Sequence, residues 1–208
     1  FGSSRPGSSS SHTPEPQAVN LIVAALGVMS ADKVLLKVAI LGDYGAGKTS
    51  LMSQYVKKEF TNKRDAFGAN FLTKEITIAD KLVTLQIWDT FGEERFQDVD
   101  LGFYRHSDCG VLVFDVTDPK SFESLQSWRD KLLENLSSSQ SDPDNFPFVV
   151  LGNKADAEGE RKVGPDEVSK WCELQNDILY YETSAKDGTN VEQAFEEIAE
   201  KTLKALKP

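Results

Sequence analysis

Gly42-Asp43-Tyr44-Gly45-Ala46-Gly47-Lys48-Thr49 is the stretch that most constrains the fold, because it lies between an apolar run and a helical pattern. It matches the phosphate-binding loop G-x-x-x-x-G-K-[ST] at every fixed position. Glycine at positions 45 and 47 lets the backbone turn several N–H groups toward a phosphate chain, and the next helix adds its positive dipole end. Lys48 offers a charge to the outer phosphates and Thr49 a hydroxyl to Mg²⁺. The loop therefore predicts a nucleoside triphosphate site with these contacts: Gly45, Ala46, Gly47, Lys48, Thr49 and Ser50.

Outward from this loop, strand and helix patterns alternate from about residue 33 to the end of the chain. Strands are predicted at 34–41, 74–79, 82–89, 110–116, 148–151 and 178–181, the second and third forming a hairpin around Asp80-Lys81. Helical spacing follows the loop at 51–56, runs from Phe122 to Leu136, and returns after Asn190, which we expect to cap the last helix. This order predicts an α/β fold: a mostly parallel six-stranded sheet with helices on both faces and an antiparallel edge.

Length and composition describe one globular domain. The chain has 208 residues, of which 39% are hydrophobic and 27% charged, enough to bury a proper core. Its net charge of −10 argues against a nucleic-acid surface and against adhesion of the folded domain to anionic lipid. Cys109 and Cys172 lie inside apolar patterns, which predicts buried free thiols. His12 and His106 stand alone, so no imidazole metal site is expected.

The beginning of the chain differs from the rest. Residues 1–17 are rich in Ser, Pro and Gly, and we expect residues 1–31 to form a disordered extension before a domain at 32–207. The apolar stretch 21–29 is too short to cross a bilayer, and as a signal peptide it has only Arg5 as its positive region. A second interpretation is that Met29 is the true start.

Two further motifs follow predicted strands. Asp89-Thr90-Phe91-Gly92 places an acid where it can hold Mg²⁺ and a Gly92 N–H where it can contact the terminal phosphate. Asn153-Lys154-Ala155-Asp156 places a carboxylate that can accept two hydrogen bonds from the N1–H and the exocyclic amine of guanine. Adenine lacks that pair of donors, so a kinase or ATPase that uses adenine is disfavoured. The stem of Lys154 can lie along the base.

A last motif, Glu182-Thr183-Ser184-Ala185-Lys186, follows the final predicted strand and can offer a backbone N–H to the guanine oxygen. Four loops in this order and spacing predict guanine nucleotide binding, with Thr49 and Asp89 as the metal-binding pair.

In these motifs the sequence resembles the Ras-like small GTPases and, within them, the Rab branch. Rab-like stretches are Trp88-Asp89-Thr90, Glu94-Arg95-Phe96 and Phe103-Tyr104-Arg105. The stretches that resemble the late-endosomal Rab-seven type are Phe71-Leu72-Thr73-Lys74-Glu75, Val113-Phe114-Asp115-Val116-Thr117, Ser127-Trp128-Arg129 and Asn145-Phe146-Pro147-Phe148. The resemblance implies a Ras-like domain, GTP and GDP as bound nucleotides, Mg²⁺ as cofactor, and a switch in vesicle traffic toward late endosomes, lysosomes or vacuoles.

The resemblance also implies partners and a location. Effectors, exchange factors and activating proteins would contact a monomer through Phe71, Trp88 and Phe103, although core packing is an equal interpretation for Trp88. The protein would be cytoplasmic and reach the cytosolic face of those membranes only through a prenylated cysteine tail. This chain ends at Lys207-Pro208 without such a tail, and we expect that it is truncated.

Positions near the γ-phosphate depart from the family pattern. The family has Ala-Gly-Gln after Asp-Thr, whereas this chain has Phe91-Gly92-Glu93. The family Gln orients the attacking water. An ionised Glu93 at about 4 Å would be repelled by the γ-phosphate by at most roughly 4 kcal/mol at an effective dielectric near 20. Alternatively, Glu93 could act as a base, or its pKa could rise until it is neutral. Ala66-Phe67 stands where the family has a Thr that binds Mg²⁺. Phe91 replaces a small residue and can restrict the loop that follows it, and an exposed or repacked aromatic ring is an equal interpretation.

These departures leave two hypotheses of different class. The first is a slow GTP hydrolase with Lys48 and Glu93 as catalytic residues and impaired intrinsic turnover. Rab activators resemble suppliers of both Arg and Gln, so Glu93 need not abolish stimulated turnover. The alternative is a guanine-nucleotide-binding module that is locked, with little hydrolysis, and Glu93 and Ala66-Phe67 favour it.

Overall fold

The structure, a computed structural model, describes residues 33–60, 71–89, 105–136 and 145–206. The predicted extension at 1–31, the segment with Ala66-Phe67, and the end of the chain lie outside these residues. The strands described are β1 (Lys33–Leu41), β2 (Phe71–Ile78), β3 (Lys81–Asp89), β4 (Cys109–Asp115), β5 (Phe148–Asn153) and β6 (Leu179–Glu182). The helices described are α1 (Lys48–Lys57), α2 (Pro119–Glu123), α3 (Leu125–Asn135), α4 (Pro165–Leu174) and α5 (Val191–Ala205), with a short 3-10 turn at Glu158–Glu160.

The strands form one six-stranded sheet in the order β2-β3-β1-β4-β5-β6. Only the β2–β3 pair, among the strands described, is antiparallel; the other neighbouring pairs are parallel. The predicted α/β fold with a hairpin edge is therefore confirmed. β3 pairs with one edge of β1 and β4 pairs with the other. The chain therefore adds β2 and β3 on one side of β1 and β4 to β6 on the other, and the direction of the strand order reverses beside β1. Ligands bind outside such a reversal point, at the carboxyl ends of the strands.

Burial follows from the place of each strand in the sheet. Every residue of β4 and β5 is buried, as expected for parallel strands covered on both faces. The edge strand β2 alternates between exposed and half-buried residues, because its outer face meets water. One core cluster includes residues of α1 and α5, and a second includes residues of α3 and α4. The two clusters cover opposite faces of the sheet beneath the loops at its carboxyl edge.

The two cysteines are buried and free, as predicted. Burial raises the pKa of the Cys109 thiol to about 12 and that of the Cys172 thiol to about 11, so both remain protonated near neutral pH. No helix in the described part of the chain combines the length and the apolar character needed to span a bilayer.

The hairpin turn and the helix that contains Phe122 differ in detail from their predictions. The hairpin turns at Ala79 and Asp80, which both have positive φ, and Lys81 already belongs to β3. The helix predicted from Phe122 to Leu136 is interrupted at Ser124 and ends at Asn135.

Asn190 occupies the position before α5, but its side chain makes no capping hydrogen bond. Its amide instead donates to the backbone oxygen of Glu182 at 2.7 Å, so it ties the start of α5 to the end of β6.

Candidate nucleotide-binding site

The predicted phosphate loop connects β1 to α1 and lies against the neighbouring strands. Gly42 has φ 142°, and a Cβ there would lie 2.0 Å from the backbone oxygen of Val113. Gly47 has φ 93°, and a Cβ there would lie 2.2 Å from the Asn153 side-chain nitrogen. Larger residues at 42 and 47 would therefore push the loop off β4 and β5. Glycine at these positions lets the loop sit at the centre of the carboxyl edge.

Lys48 is the buried cation of this loop, with a relative exposure of 4%. Its Nζ donates hydrogen bonds to the backbone oxygens of Gly42 and Asp43, both at 2.9 Å. Desolvation lowers the pKa of Lys48 to about 8, while the nearby carboxylates of Asp89 and Asp43 partly oppose that shift. A buried ammonium favours an anionic ligand, because a bound phosphate would stabilise the charged form that desolvation disfavours.

The two predicted metal-binding residues lie together. Thr49, the second residue of α1, lies beside the end of β3, and its hydroxyl donates a hydrogen bond to a carboxylate oxygen of Asp89. Parallel pairing sets Ile40 opposite Asp89, which carries that carboxylate to the edge where the phosphate loop starts. Hydroxyl and carboxylate oxygens suit a hard cation such as Mg²⁺, which keeps several waters and takes few protein ligands. The donor set therefore fits the predicted cofactor.

Asn153, at the end of β5, connects the phosphate loop to the last motif. Its amide nitrogen donates to the backbone oxygen of Ala46 at 2.8 Å, and its amide oxygen accepts from the N–H of Ala185 at 3.1 Å. Only 1% of Asn153 is exposed, so both bonds are shielded from water. Asn153 thus fixes the distance between the phosphate loop and the predicted base loops.

The Asp156 carboxylate lies beside the motif that was predicted to contact the guanine oxygen. One oxygen accepts a hydrogen bond from the Ser184 hydroxyl at 2.7 Å, and the other lies 3.4 Å from the Lys186 ammonium. Lys154, with φ 66°, forms an ion pair with the buried carboxylate of Asp115 at the end of β4. The structure therefore brings the two base motifs together at the ends of β5 and β6.

The remaining predicted residues are described by their conformation, burial and stacking. Gly45 has φ 86°, and Ser50 is half-buried in the first turn of α1. Phe71 and Trp88, paired across β2 and β3, stack with ring centroids 4.6 Å apart, and Phe71 is 38% exposed. Gly92, Glu93, Phe91 and Phe103 lie outside the described residues.

Sequence reasoning missed two acidic residues in this region. Asp115 accepts hydrogen bonds from the backbone N–H and hydroxyl of Thr117 besides its contact with Lys154. Asp43 lies inside the phosphate loop and accepts from two side chains of the neighbouring helix. Asp115 could have been predicted as a site residue, because it ends a buried strand at the carboxyl edge of the sheet. The partners of Asp43 could not, because they lie 81 and 85 residues away in the sequence.

Comparison with known proteins gives the class of this chain. Residues 37–204 match the Ras family profile, and the chain belongs to the Ras family. It is 56% identical to Ras-related protein Rab-7a of Dictyostelium discoideum over 173 residues, which cover 83% of this chain and 84% of that protein. It is 57% identical to Ras-related protein Rab7 of Drosophila melanogaster over 172 residues, 82% of each chain. It is 55% identical to Ras-related protein Rab7 of Cenchrus ciliaris over 178 residues, 84% of this chain and 85% of that protein.

Within the Ras family, the chain is a small GTPase of the Rab7 type. The resemblance inferred from the residues is thereby confirmed.

The lowered pKa of Lys48 predicts a pH dependence of nucleotide affinity. Above about pH 8 the nucleotide-free protein loses the Lys48 proton, whereas bound phosphates favour the charged form, so binding must recover that proton. We expect the affinity for GDP to fall by roughly tenfold between pH 7 and 9, measured by equilibrium titration.

The matched control is Lys48→Arg, because a guanidinium keeps its charge over this range while guanine titrates identically in both proteins. Equal pH profiles for the two proteins would contradict the role given to the Lys48 proton.

Proposed function

We propose that this chain binds GTP and GDP with Mg²⁺ and acts as a molecular switch in endosomal and lysosomal traffic. The observation that carries the proposal is the convergence of three groups at the carboxyl edge of the sheet. These are the buried Lys48 ammonium, the Thr49–Asp89 oxygen pair and the Asp156 carboxylate. Along the sheet, the Thr49–Asp89 pair beside β3 and Lys48 after β1 precede Asp156 after β5, which is the order in which a nucleotide presents metal ion, outer phosphates and base. Membership of the Rab7 type supports the same assignment.

Each group contributes a distinct interaction in this proposal. The loop N–H groups and Lys48 bind the phosphates and neutralise charge on their outer oxygens. Mg²⁺, held by Thr49 and through water by Asp89, supplies charge that stabilises the terminal phosphates. Asp156 accepts the two guanine donors, and Ser184, Ala185 and Lys186 supply the facing loop.

Hydrolysis is the second half of the switch, and the residue that governs it in this proposal is Glu93. Intrinsic turnover in this class is on the order of 10⁻⁴ per second and rises by about 10⁵ with an activator. A carboxylate at 93 would repel the γ-phosphate and orient water poorly, so we propose impaired intrinsic hydrolysis. The second candidate, a locked guanine-nucleotide-binding module, is favoured by the combination of Glu93 with Ala66-Phe67.

Glu93→Gln is expected to raise the intrinsic rate of GTP hydrolysis by about tenfold, because a neutral amide can orient water without repelling the γ-phosphate. The measurement is single-turnover phosphate release from preloaded protein, with and without a Rab-activating protein that supplies Arg and Gln. Glu94→Gln, one residue further on, is the matched control for loss of a carboxylate.

Three outcomes distinguish the candidates. Slow intrinsic release that an activator accelerates supports a switch, and release that stays slow in both conditions supports the locked module. A wild-type intrinsic rate equal to that of Glu93→Gln contradicts impaired hydrolysis.

The proposed contacts with proteins and membranes follow from the family. We propose that effector, exchange and activating proteins contact a monomer through the stacked pair Phe71 and Trp88 together with Phe103. The half-exposed Phe71 ring supports this, because it offers apolar area at the sheet edge. We also propose that residues 32–207 form the nucleotide-binding domain, and that a prenylated tail following this domain holds the protein on late-endosomal or lysosomal membranes.

A further inference from the structure

The side chain of Asp43 ties the phosphate loop to helix α3. One carboxylate oxygen accepts a hydrogen bond from the indole Nε1–H of Trp128 at 2.7 Å, and the other accepts from the Ser124 hydroxyl at 2.9 Å. Both oxygens of one loop residue are therefore held by donors that lie 81 and 85 residues away in the sequence.

The α3 side of this contact is rigid. Trp128 is 7% exposed and belongs to the core cluster that covers one face of the sheet, so the direction of its N–H is set by core packing. Ser124 lies at the junction of α2 and α3, and its hydroxyl also lies 2.9 Å from the backbone oxygen of Lys120. Its one proton is shared between two acceptors, of which the charged carboxylate is the stronger.

The loop side of the contact reaches the phosphate-binding groups. The backbone oxygen of Asp43 accepts hydrogen bonds from the Lys48 ammonium at 2.9 Å and from the Ala46 N–H at 3.2 Å. Asp43 thus holds, through its own peptide, the position of the buried cation and the curvature of the loop. Its carboxylate also helps Lys48 to keep its proton, since the charge of Asp43 opposes the lowered pKa.

We infer that Asp43 is a positioning residue that fixes the phosphate loop against α3 and thereby slows release of the bound nucleotide. The inference rests on the proposed nucleotide binding. It runs against the simplest electrostatic expectation, in which a carboxylate inside a phosphate loop repels the phosphates and its removal tightens binding. The two views predict opposite signs for the same substitution.

The test is the dissociation rate of a fluorescent GDP analogue from the wild-type chain and three variants. Asp43→Asn removes the charge and the acceptor for Ser124, whereas Trp128→Phe and Ser124→Ala leave the charge and remove one donor each. We expect Asp43→Asn and Trp128→Phe to release GDP about tenfold faster, and Ser124→Ala about threefold faster because its proton is shared. The double variant of Asp43→Asn and Ser124→Ala should release GDP no faster than Asp43→Asn alone, because the asparagine has already removed the acceptor of the Ser124 hydroxyl.

Matched controls separate the contact from general damage. Glu123→Gln removes an exposed carboxylate next to Ser124, Ser127→Ala removes an exposed hydroxyl on α3, and Trp171→Phe removes another indole. Their GDP release should stay within about twofold of wild type. The indole N–H resonance of Trp128 in a two-dimensional NMR spectrum reports the hydrogen bond directly and should shift upfield in Asp43→Asn while those of Trp88 and Trp171 stay in place.

Each outcome supports or overturns the inference. Slower release from Asp43→Asn overturns it in favour of charge repulsion, and wild-type rates in both Asp43→Asn and Trp128→Phe overturn it outright. If Trp128→Phe fails to fold, the rates of GDP release from Asp43→Asn and Ser124→Ala, together with the indole N–H resonance of Trp128 in Asp43→Asn, decide whether the inference holds. A wild-type chain that binds no GDP would instead refute the proposed function.

Discussion

Asp156→Asn is expected to lower the affinity for GDP by at least about a hundredfold, because two hydrogen bonds to a charged acceptor are lost or reversed. The guanine N1–H and amine both require acceptors, whereas the asparagine side chain presents one acceptor and one donor. Xanthine carries an oxygen where guanine carries the amine, so the same variant should bind xanthosine diphosphate better than the wild-type chain does. The measurement is equilibrium titration of both nucleotides into both proteins.

The structure supplies reasons to expect that Asp156→Asn still folds. The Ser184 hydroxyl can continue to donate to an amide oxygen, and Lys186 is exposed, so losing its charge partner costs little. Asp177→Asn is the matched control, since that residue is exposed and has φ 53°, a conformation that Asn adopts readily. Unchanged affinities for both nucleotides in Asp156→Asn would remove this residue from the base site.

Lys48→Met is expected to weaken GDP binding by about a hundredfold or more, because it removes a desolvated charge from the phosphates while keeping a stem of similar length. The loss should depend on the phosphates, so weak binding of guanosine, which has none, should be unaffected. Isothermal titration with GDP and competition with guanosine measure the two effects.

Lys57→Met, at the exposed end of the same helix, is the control for loss of a lysine from α1. An equal loss of GDP and guanosine binding in Lys48→Met would show a collapsed site rather than a lost phosphate contact.

Much of the fold could be predicted from local patterns. The apolar run of β1, the hairpin of β2 and β3 and the stripe on α5 each repeat at the spacing of their element, so six strands were located within a few residues. The turn at Ala79 and Asp80 was displaced by one residue because alternation along a strand does not show where pairing ends. The helix break at Ser124 was missed because the apolar spacing runs through it without interruption.

Asn190 shows the limit of a local rule. Its residue type and position favour a helix cap, and the sequence supports no other role for it. In the folded chain the end of β6 presents the backbone oxygen of Glu182 to its amide, and that acceptor replaces the expected capping bond. A competing partner brought near by tertiary structure outweighs the local preference.

The sequence by itself determined the family and the order of the elements, and it predicted the residues that we propose to contact phosphate, metal and base. Each of these depends on a short contiguous motif whose chemistry is complete within a few residues. Only the tertiary structure decided what holds those motifs in place. Asn153 bonds to Ala46 across 107 residues, and Asp43 bonds to Trp128 across 85. Such contacts leave no period in the sequence, because they form only where parallel strands bring separate loops to one edge of the sheet.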